Sequence, residues 1–359
     1  MSRTYHVIGM MSGTSLDGTD LAYCTFTHDL AGWKFTLGPA ETFPYPPEWE
    51  SRLRDLPGRD AWNFFKTDVE YGHYIGRLIH GFIEKHRLSP GLITSHGHTV
   101  FHRPEIGVTC QIGSGAAIAA ETRLPVVSDF RSLDVALGGQ GAPLVPVGDR
   151  LLFGEYFYCL NLGGFANISF DDAGKRIAFD ICPVNIILNS LAGRLGFPYD
   201  RNGEQARTGK LLTGLLGQLD GLEYYVKPPP KSLGREWLMD HFIPLLDQQA
   251  TSTPVPDLLR TIVEHIARQL AAVIRTREES ILVTGGGAYN EFLLERIQAL
   301  LPHNHLHRPA SLLIDFKEAL VFAFLGVLRM RNEANCLASV TGAGEDNVGG
   351  AFYGRIDRE

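Results

Sequence analysis

Three glycine-bearing loops, each entered from a short apolar run, punctuate the chain in a fixed order and narrow the folds open to it. The first follows "YHVIGMM" (Tyr5 to Met11), whose branched and apolar residues predict a short buried strand. The run breaks into Ser12, Gly13, Thr14, Ser15, Leu16, Asp17, Gly18, Thr19 and Asp20. Gly13 and Gly18 permit backbone angles that a Cβ resists, and Ser12, Thr14 and Ser15 set hydroxyls beside backbone N–H groups. Such a loop can wrap an anion, most often a triphosphate; alone, it is equally an ordinary hairpin turn. The second loop, "NLGGFAN", places Gly163 and Gly164 between two strand-like runs. The third, "TGGGAYN", carries Gly285, Gly286 and Gly287 from the strand-like "SILVT" into a helix. A duplicated fold closing on a nucleotide needs this set: two hairpins to grip phosphates and a later glycine loop where adenosine approaches the backbone.

Strand-like and helix-like runs alternate throughout, which predicts an α/β architecture. Residues 67–85 have helical apolar spacing, "GLITSH" and "LPVVSDF" read as strands, and a long helix is expected over residues 257–277. At 359 residues the chain exceeds one typical core and predicts two domains, with a soft boundary at "GGQG", Gly138 to Gly141. A formal net charge of -7 argues against nucleic-acid binding but leaves phosphate ligands open, since backbone donors bind them within an acidic protein. No basic, apolar and small-residue leader opens the chain, and the apolar stretch Ala319 to Leu328 is too short to span a bilayer, so neither secretion nor a membrane partner is expected. Five scattered cysteines without a CxxC suit a reducing cytoplasm and offer no zinc site.

Other nucleotide devices are missing. The chain has no P-loop lysine motif and no protein-kinase HRD or DFG signature, and "TGGGAYN" lacks dinucleotide spacing. In "GTSLD", Asp17 stands where a nucleophile elbow needs its second glycine, so Ser15 is a poor nucleophile candidate. "SHGHTVFH" would put His96 and His98 on one strand face, but without acidic or thiolate company they suit substrate hydrogen bonding better than zinc. "HNHLH" (His303 to His307) reads as a solvated connector entering a strand. Asp180 ends the strand-like "KRIAFDI" and is either a general base in a cleft or an N-cap for the helix that follows. Asp315 and Glu318 have the spacing of a capping box.

"GMMSGTSLDGTD", "SHGHTVFHRP", "QIGSGAAIA", "DFRSLDVALGGQGAPLVP", "NLGGFANI", "PPKSLGREWL", "TGGGAYN", "DFKEALVFAFL" and "SVTGA" together resemble the anhydro-N-acetylmuramic acid kinases, from Ile8 to about Gly349 and in that family's order. The resemblance implies the sugar kinase, actin and heat-shock chaperone superfamily, with two ribonuclease-H-like (actin-like ATPase) domains flanking an interdomain ATP cleft. The expected domains are residues 1–137, completed by residues 337–359, and residues 138–336 with the adenosine loop. It also implies that ATP and water open the 1,6-anhydro bridge of a muramic sugar while the freed 6-oxygen is phosphorylated, in cell-wall recycling. Asp180 matches the family's base, Gly13 to Asp20 its ATP loop, and His96, Arg131 and Glu318 positions lining the sugar site. Mg²⁺ bridging the phosphates, a cytoplasmic homodimer and a small anhydro-sugar substrate follow from the same resemblance. No metal-ligand residues are assigned.

The sequence departs from the family pattern beside the base. Where the family usually has D-T-G-P-G-N, this chain has "DICPVN": Ile181, Cys182 and Val184 replace a threonine and two glycines. "QIGSG" stands for Q-I-G-D-P and "SHGH" for S-H-G-Q. Lost glycines can block a close backbone approach, which raises two alternatives: a kinase for another 1,6-anhydro-sugar such as levoglucosan, or a catalytically silent nucleotide-dependent sensor of cell-wall fragments. Asp180, Pro183 and Asn185 are kept, which favours a working enzyme.

Overall fold

The computed structural model describes residues 3–13, 16–249 and 253–355; Thr14 and Ser15 of the first glycine loop lie outside the described residues. The chain divides into two compact units, residues 1–152 with 316–359, and residues 153–315.

In the first unit β1 (Arg3–Met11), β2 (Gly18–Asp29) and β3 (Gly32–Pro44) form an antiparallel meander. β4 (Leu92–Ser95) then pairs parallel with β1. A separate hairpin of β5 (His98–Arg103) and β6 (Val108–Ile112) follows, and β7 (Val126–Ser128) pairs parallel with β4. With the strand Ala351–Tyr353 the sheet runs in the order Ala351–Tyr353, β7, β4, β1, β2, β3. β1 is interior because Val7, Ile8 and Met10 bury both faces of an apolar run. The helix Ala61–His86 packs Tyr71, Ile75, Ile79 and Phe82 into the core from one face, at spacings of three to four. Its start is fixed by Asp60, whose side chain accepts from the Asn63 N–H at 2.8 Å, a cap worth about 1 kcal/mol.

The second unit repeats the plan. β8 (Tyr158–Leu162), β9 (Phe165–Asp172) and β10 (Lys175–Pro183) form the meander, and β11 (Ser280–Thr284) and β12 (His305–His307) add in parallel, giving the order β10, β9, β8, β11, β12. The helix Val255–Val273 buries Leu258, Leu259, Ile262, Val263, Ile266 and Leu270 against this sheet's core. In both units a three-strand meander precedes two parallel strands added on the side of the first strand, the ribonuclease-H-like order expected from the sequence. "HLH" is itself a strand, not merely the connector to one.

The division falls later than Leu137 at the first crossing and earlier than Cys336 at the second, and close packing explains both shifts. A Cβ on Gly9 of β1 would lie 2.0 Å from the Ala319 carbonyl oxygen, and one on Gly326 would lie 2.0 Å from Thr94 Cγ2 of β4. Much of the helix Ser311–Met330 is thereby pressed onto the first sheet. "GGQG" is a tight turn inside the first unit: the Gly141 N–H donates to the buried Asp134 carboxylate at 2.7 Å, and a Cβ on Gly139 would meet that carboxylate at 2.3 Å.

Candidate active site

The first glycine loop joins β1 to β2, with Met11 paired to Asp20 across the hairpin. Its flanks are tied down from below. Ser12, buried, shares a hydrogen bond of 2.6 Å with the Tyr45 hydroxyl, which also accepts from Thr19 Oγ1 at 3.1 Å and meets the buried Tyr71 hydroxyl. His98 Nδ1 reaches Ser12 Oγ at 3.3 Å; burial lowers its pKa to about 4, so the ring is neutral at neutral pH. Gly18 is required by contact, since its Cβ would lie 2.5 Å from the Phe43 carbonyl oxygen. Leu16 has a φ of +61°, Asp17 is exposed, and Asp20 Oδ1 accepts from Thr42 Oγ1 at 2.6 Å.

His96, Arg131 and Glu318 belong to the same unit, and the structure brings them together. β4 ends at Ser95, and Gly97, at a φ of +72°, turns the chain before β5 begins at His98. His96 and His98 therefore do not share a strand face, contrary to the expectation from their alternation. His96 bonds through Nδ1 to the Gly97 carbonyl at 2.9 Å, while its Nε2 lies 3.0 Å from Arg131 Nε and 2.8 Å from Nη2. Burial, reinforced by the Arg131 charge, lowers the His96 pKa to about 3, so the ring is neutral; because Arg131 only donates and the Gly97 carbonyl only accepts, Nδ1 carries the proton and Nε2 is the acceptor. Arg131 also donates to the Gly141 carbonyl at 2.6 Å. Burial lowers its pKa to about 10 against the pull of Glu318, so the guanidinium stays charged at neutral pH. Glu318 is open to water yet crowded by protein, and this partial desolvation raises its carboxyl pKa; Arg131 opposes the rise and Asp20 adds to it. The capping-box expectation fails here: although the helix Ser311–Met330 is kinked at Phe316, the Asp315 carboxylate accepts from the Tyr289 hydroxyl at 2.8 Å and not from the Glu318 N–H.

In the second unit Asp180 sits near the end of β10, where the register with β9 shifts between Asp180 and Cys182. It does not cap the next helix, whose N-cap position is Val184 with no side-chain bond. Its Oδ2 accepts from the Leu233 N–H at 2.9 Å, while Oδ1 takes no hydrogen bond from the described residues. The carboxylate is half-buried, and desolvation raises its pKa, opposed by the Leu233 N–H. The departures beside it have an unexpected place. Ile181, Cys182 and Val184 are all buried in the hydrophobic core of this unit, so their side chains are packing groups rather than obstructions at a ligand.

Gly163 and Gly164 turn β8 into β9, and their carbonyls accept from the Asn185 N–H at 3.2 Å and the Val184 N–H at 2.8 Å. The third loop runs from β11 through Gly285, at a φ of +78°, into the helix Glu291–Leu300, which Asn290 caps by accepting from the Leu293 N–H at 3.0 Å. The three glycines divide their labour. Cβ atoms on Gly285 and Gly287 would lie 2.5 Å from Asn161 Oδ1 and 2.7 Å from Leu162 Cβ, so both are needed for packing on β8. Gly286 instead lines a cavity of about 740 Å³ with Asn185, Tyr199, Asn202, Tyr289 and Arg308, large enough for a nucleoside. Those five residues were not singled out as ligand-lining from the sequence, because they come from four separate stretches; only Asn185, retained beside Asp180, and Tyr289, inside "TGGGAYN", carried any signal.

Duplicated ribonuclease-H-like sheets, a glycine hairpin heading each, and a strand–glycine loop–helix beside a nucleoside-sized cavity define the sugar kinase, actin and heat-shock chaperone class. The family model described as anhydro-N-acetylmuramic acid kinase matches residues 5–355. An anhydro-N-acetylmuramic acid kinase of Shewanella loihica is 36% identical over 99% of this chain and 100% of its own length. One of Acinetobacter baylyi is 36% identical over 94% of this chain and 96% of its own. A solved activator of 2-hydroxyisocaproyl-CoA dehydratase from Clostridium difficile, with bound ADPNP, covers 91% of this chain and 97% of its own at 11% identity and a TM-score of 0.42, too distant a likeness to bear on function. The chain belongs to the anhydro-N-acetylmuramic acid kinase family.

Proposed function

We propose that the chain is an ATP-dependent kinase that opens the 1,6-anhydro bridge of anhydro-N-acetylmuramic acid with water and phosphorylates the 6-oxygen, giving N-acetylmuramic acid 6-phosphate for peptidoglycan recycling. The observation that carries the proposal is Asp180, a carboxylate with one oxygen held and the other without a partner among the described residues, in a chain of this family. Asp180 takes a proton from water as the water oxygen bonds to the anomeric carbon. The bond from that carbon to the 6-oxygen breaks, and the 6-oxygen displaces ADP at the γ-phosphorus. The raised pKa of Asp180 makes it a stronger base than a solvated carboxylate.

His96, Arg131 and Glu318 form the sugar site: the Arg131 cation and the Glu318 carboxylate suit the sugar's hydroxyl, amide and acid groups, while His96, with both ring nitrogens already bonded, acts by fixing the Arg131 guanidinium. Gly13 to Asp20 and Gly163–Gly164 hold the phosphates, with the adenosine in the cavity beside Gly286. No cluster of three His, Cys, Asp or Glu among the described residues could hold a metal alone. Mg²⁺ needs less, since it takes one or two carboxylates and completes its shell with phosphate oxygens and water. Asp20, which follows the first glycine loop at the start of β2, fits that demand and would hold the ion. Bound there, it neutralises phosphate charge. We also infer a cytoplasmic homodimer; five free cysteines suit a reducing compartment, and no helix of the described residues is long and apolar enough to cross a membrane.

The burial of Ile181, Cys182 and Val184 removes the observation that favoured levoglucosan or a silent sensor. ADP release with Mg²⁺ and a panel of anhydro-sugars tests the assignment. Turnover is expected with anhydro-N-acetylmuramic acid; nucleotide binding without turnover on any of them would refute the kinase.

A further inference from the structure

Of the block "PPKSLGRE" only the Leu233 N–H has entered the chemistry above, yet the structure lays more of it against Asp180. β10 is an edge strand, so the outward backbone groups at that position need partners from outside the sheet. The segment from Tyr224 to Leu233 supplies them. The Asp180 N–H donates to the Lys231 carbonyl at 3.3 Å, the Asp180 carbonyl accepts from the Tyr224 hydroxyl at 2.6 Å, and the Leu233 N–H holds Oδ2 at 2.9 Å. One residue thus has its main chain and one carboxylate oxygen fixed from a single strap.

The strap is itself anchored. Lys231 Nζ donates to the Tyr224 carbonyl at 3.2 Å and lies 4.7 Å from that ring's centroid, clasping its two ends together. The Tyr225 hydroxyl bonds His265 Nε2 at 2.9 Å, and His265 Nδ1 lies 2.7 Å from Asp220 Oδ1. His265 is fully buried in the helix Val255–Val273, so this chain of bonds ties the strap to the unit's main helix. The titratable neighbours of Asp180 are Tyr224 and Cys182, both driven upward by burial and hence neutral, with the Lys231 ammonium on the strap and uncharged Asn167 opposite in the ladder. Burial lowers the Lys231 pKa, and its ammonium is spent on the Tyr224 and Tyr225 carbonyls and not on the carboxylate, so the group that favours the ionised Asp180 is the Leu233 N–H.

We propose that the strap from Tyr224 to Leu233 positions the base: Tyr224 and Lys231 fix the Asp180 main chain, and the Leu233 amide occupies Oδ2 so that Oδ1 faces the reacting water. The proposal rests on the assignment of Asp180 as that base. It adds positioning residues that touch neither sugar nor nucleotide and act through Asp180.

Replacing the Leu233 amide by an ester, through the α-hydroxy analogue of leucine, deletes the N–H and leaves the side chain. The acidic limb of kcat/KM against pH should move up by about one unit, since a hydrogen bond to a charged group is lost. KM for sugar and for ATP should stay within about twofold, because the bond acts on the base and not on ligand binding. Leu233→Ala keeps the N–H and should leave the limb in place, whereas Leu233→Pro should reproduce the ester if it folds. An ester enzyme with an unmoved limb, or with raised KM and intact kcat, overturns the strap. Asp180→Asn separates the two ideas: if it abolishes turnover while the ester does nothing, the base stands and the strap falls.

Discussion

Gly285 and Gly286 are neighbours in one loop, and the structure predicts opposite consequences for adding a single methyl to each. At Gly285 the φ of +78° with a ψ of 166° lies in a region essentially reserved for glycine and costs an L-residue roughly 1–3 kcal/mol. Its Cβ would also sit 2.5 Å from Asn161 Oδ1 and 2.8 Å from the Leu162 carbonyl, overpacking worth roughly 1–3 kcal/mol. Gly285→Ala should therefore destabilise the second unit by roughly 2–6 kcal/mol, lowering its melting temperature by roughly 5–20 °C. At Gly286 the nearest atom is Asn185 Nδ2 at 3.4 Å, an ordinary contact, so Gly286→Ala should change stability by less than about 0.5 kcal/mol. That methyl enters the cavity instead and should weaken nucleotide binding about tenfold or more, the effect of roughly 1–3 kcal/mol of crowding. Differential scanning fluorimetry and calorimetry with a non-hydrolysable ATP analogue read the two effects separately. A Gly286→Ala protein that binds the analogue normally would refute the placement of adenosine beside Gly286. A Gly285→Ala protein that melts like wild type would refute the packing argument.

Asp180→Asn should lower turnover by a factor on the order of 10² to 10⁴ with little change in ATP or sugar affinity, measured by steady-state ADP release and calorimetry. In the wild type, desolvation raises the Asp180 pKa, and the base works ionised, so kcat/KM should be full above that pKa and fall as pH drops through it. A pH–rate profile whose acidic limb persists in Asp180→Asn would assign the titration to another group.

Much of the fold was legible because its signals are local. The three glycine loops fall where the sequence puts them: two in hairpins and one between β11 and the helix Glu291–Leu300. β3 was not anticipated, since "GWKFTLGPAETFP" lies at a sheet edge, largely half-exposed, and lacks the continuous apolar run of β1. The unit boundaries were misplaced because glycines in "GGQG" look like a linker until Asp134 is seen to fill the turn. Around the candidate site, the family resemblance put His96 and Arg131 at one site, but the direct hydrogen bonds between them could not be read from residues on separate segments that only the fold joins. The same blindness made Ile181, Cys182 and Val184 look like changes at a ligand. Adjacency to Asp180 in sequence does not reveal that their side chains enter the core. From its residues alone Asp180 suited a helix cap, the commoner role, as well as a base, and only the family resemblance pointed to the base; the helix in fact starts without it.

The central claim is that water attacks the sugar while the 6-oxygen attacks phosphorus. Turnover of anhydro-N-acetylmuramic acid and ATP in ¹⁸O-enriched water, with product examined by mass spectrometry before anomeric exchange, tests it directly. One heavy oxygen should appear at the anomeric hydroxyl and none in the transferred phosphate. Heavy oxygen in phosphate, with an unlabelled and unopened sugar, would contradict the ring-opening mechanism and leave a simple ATPase.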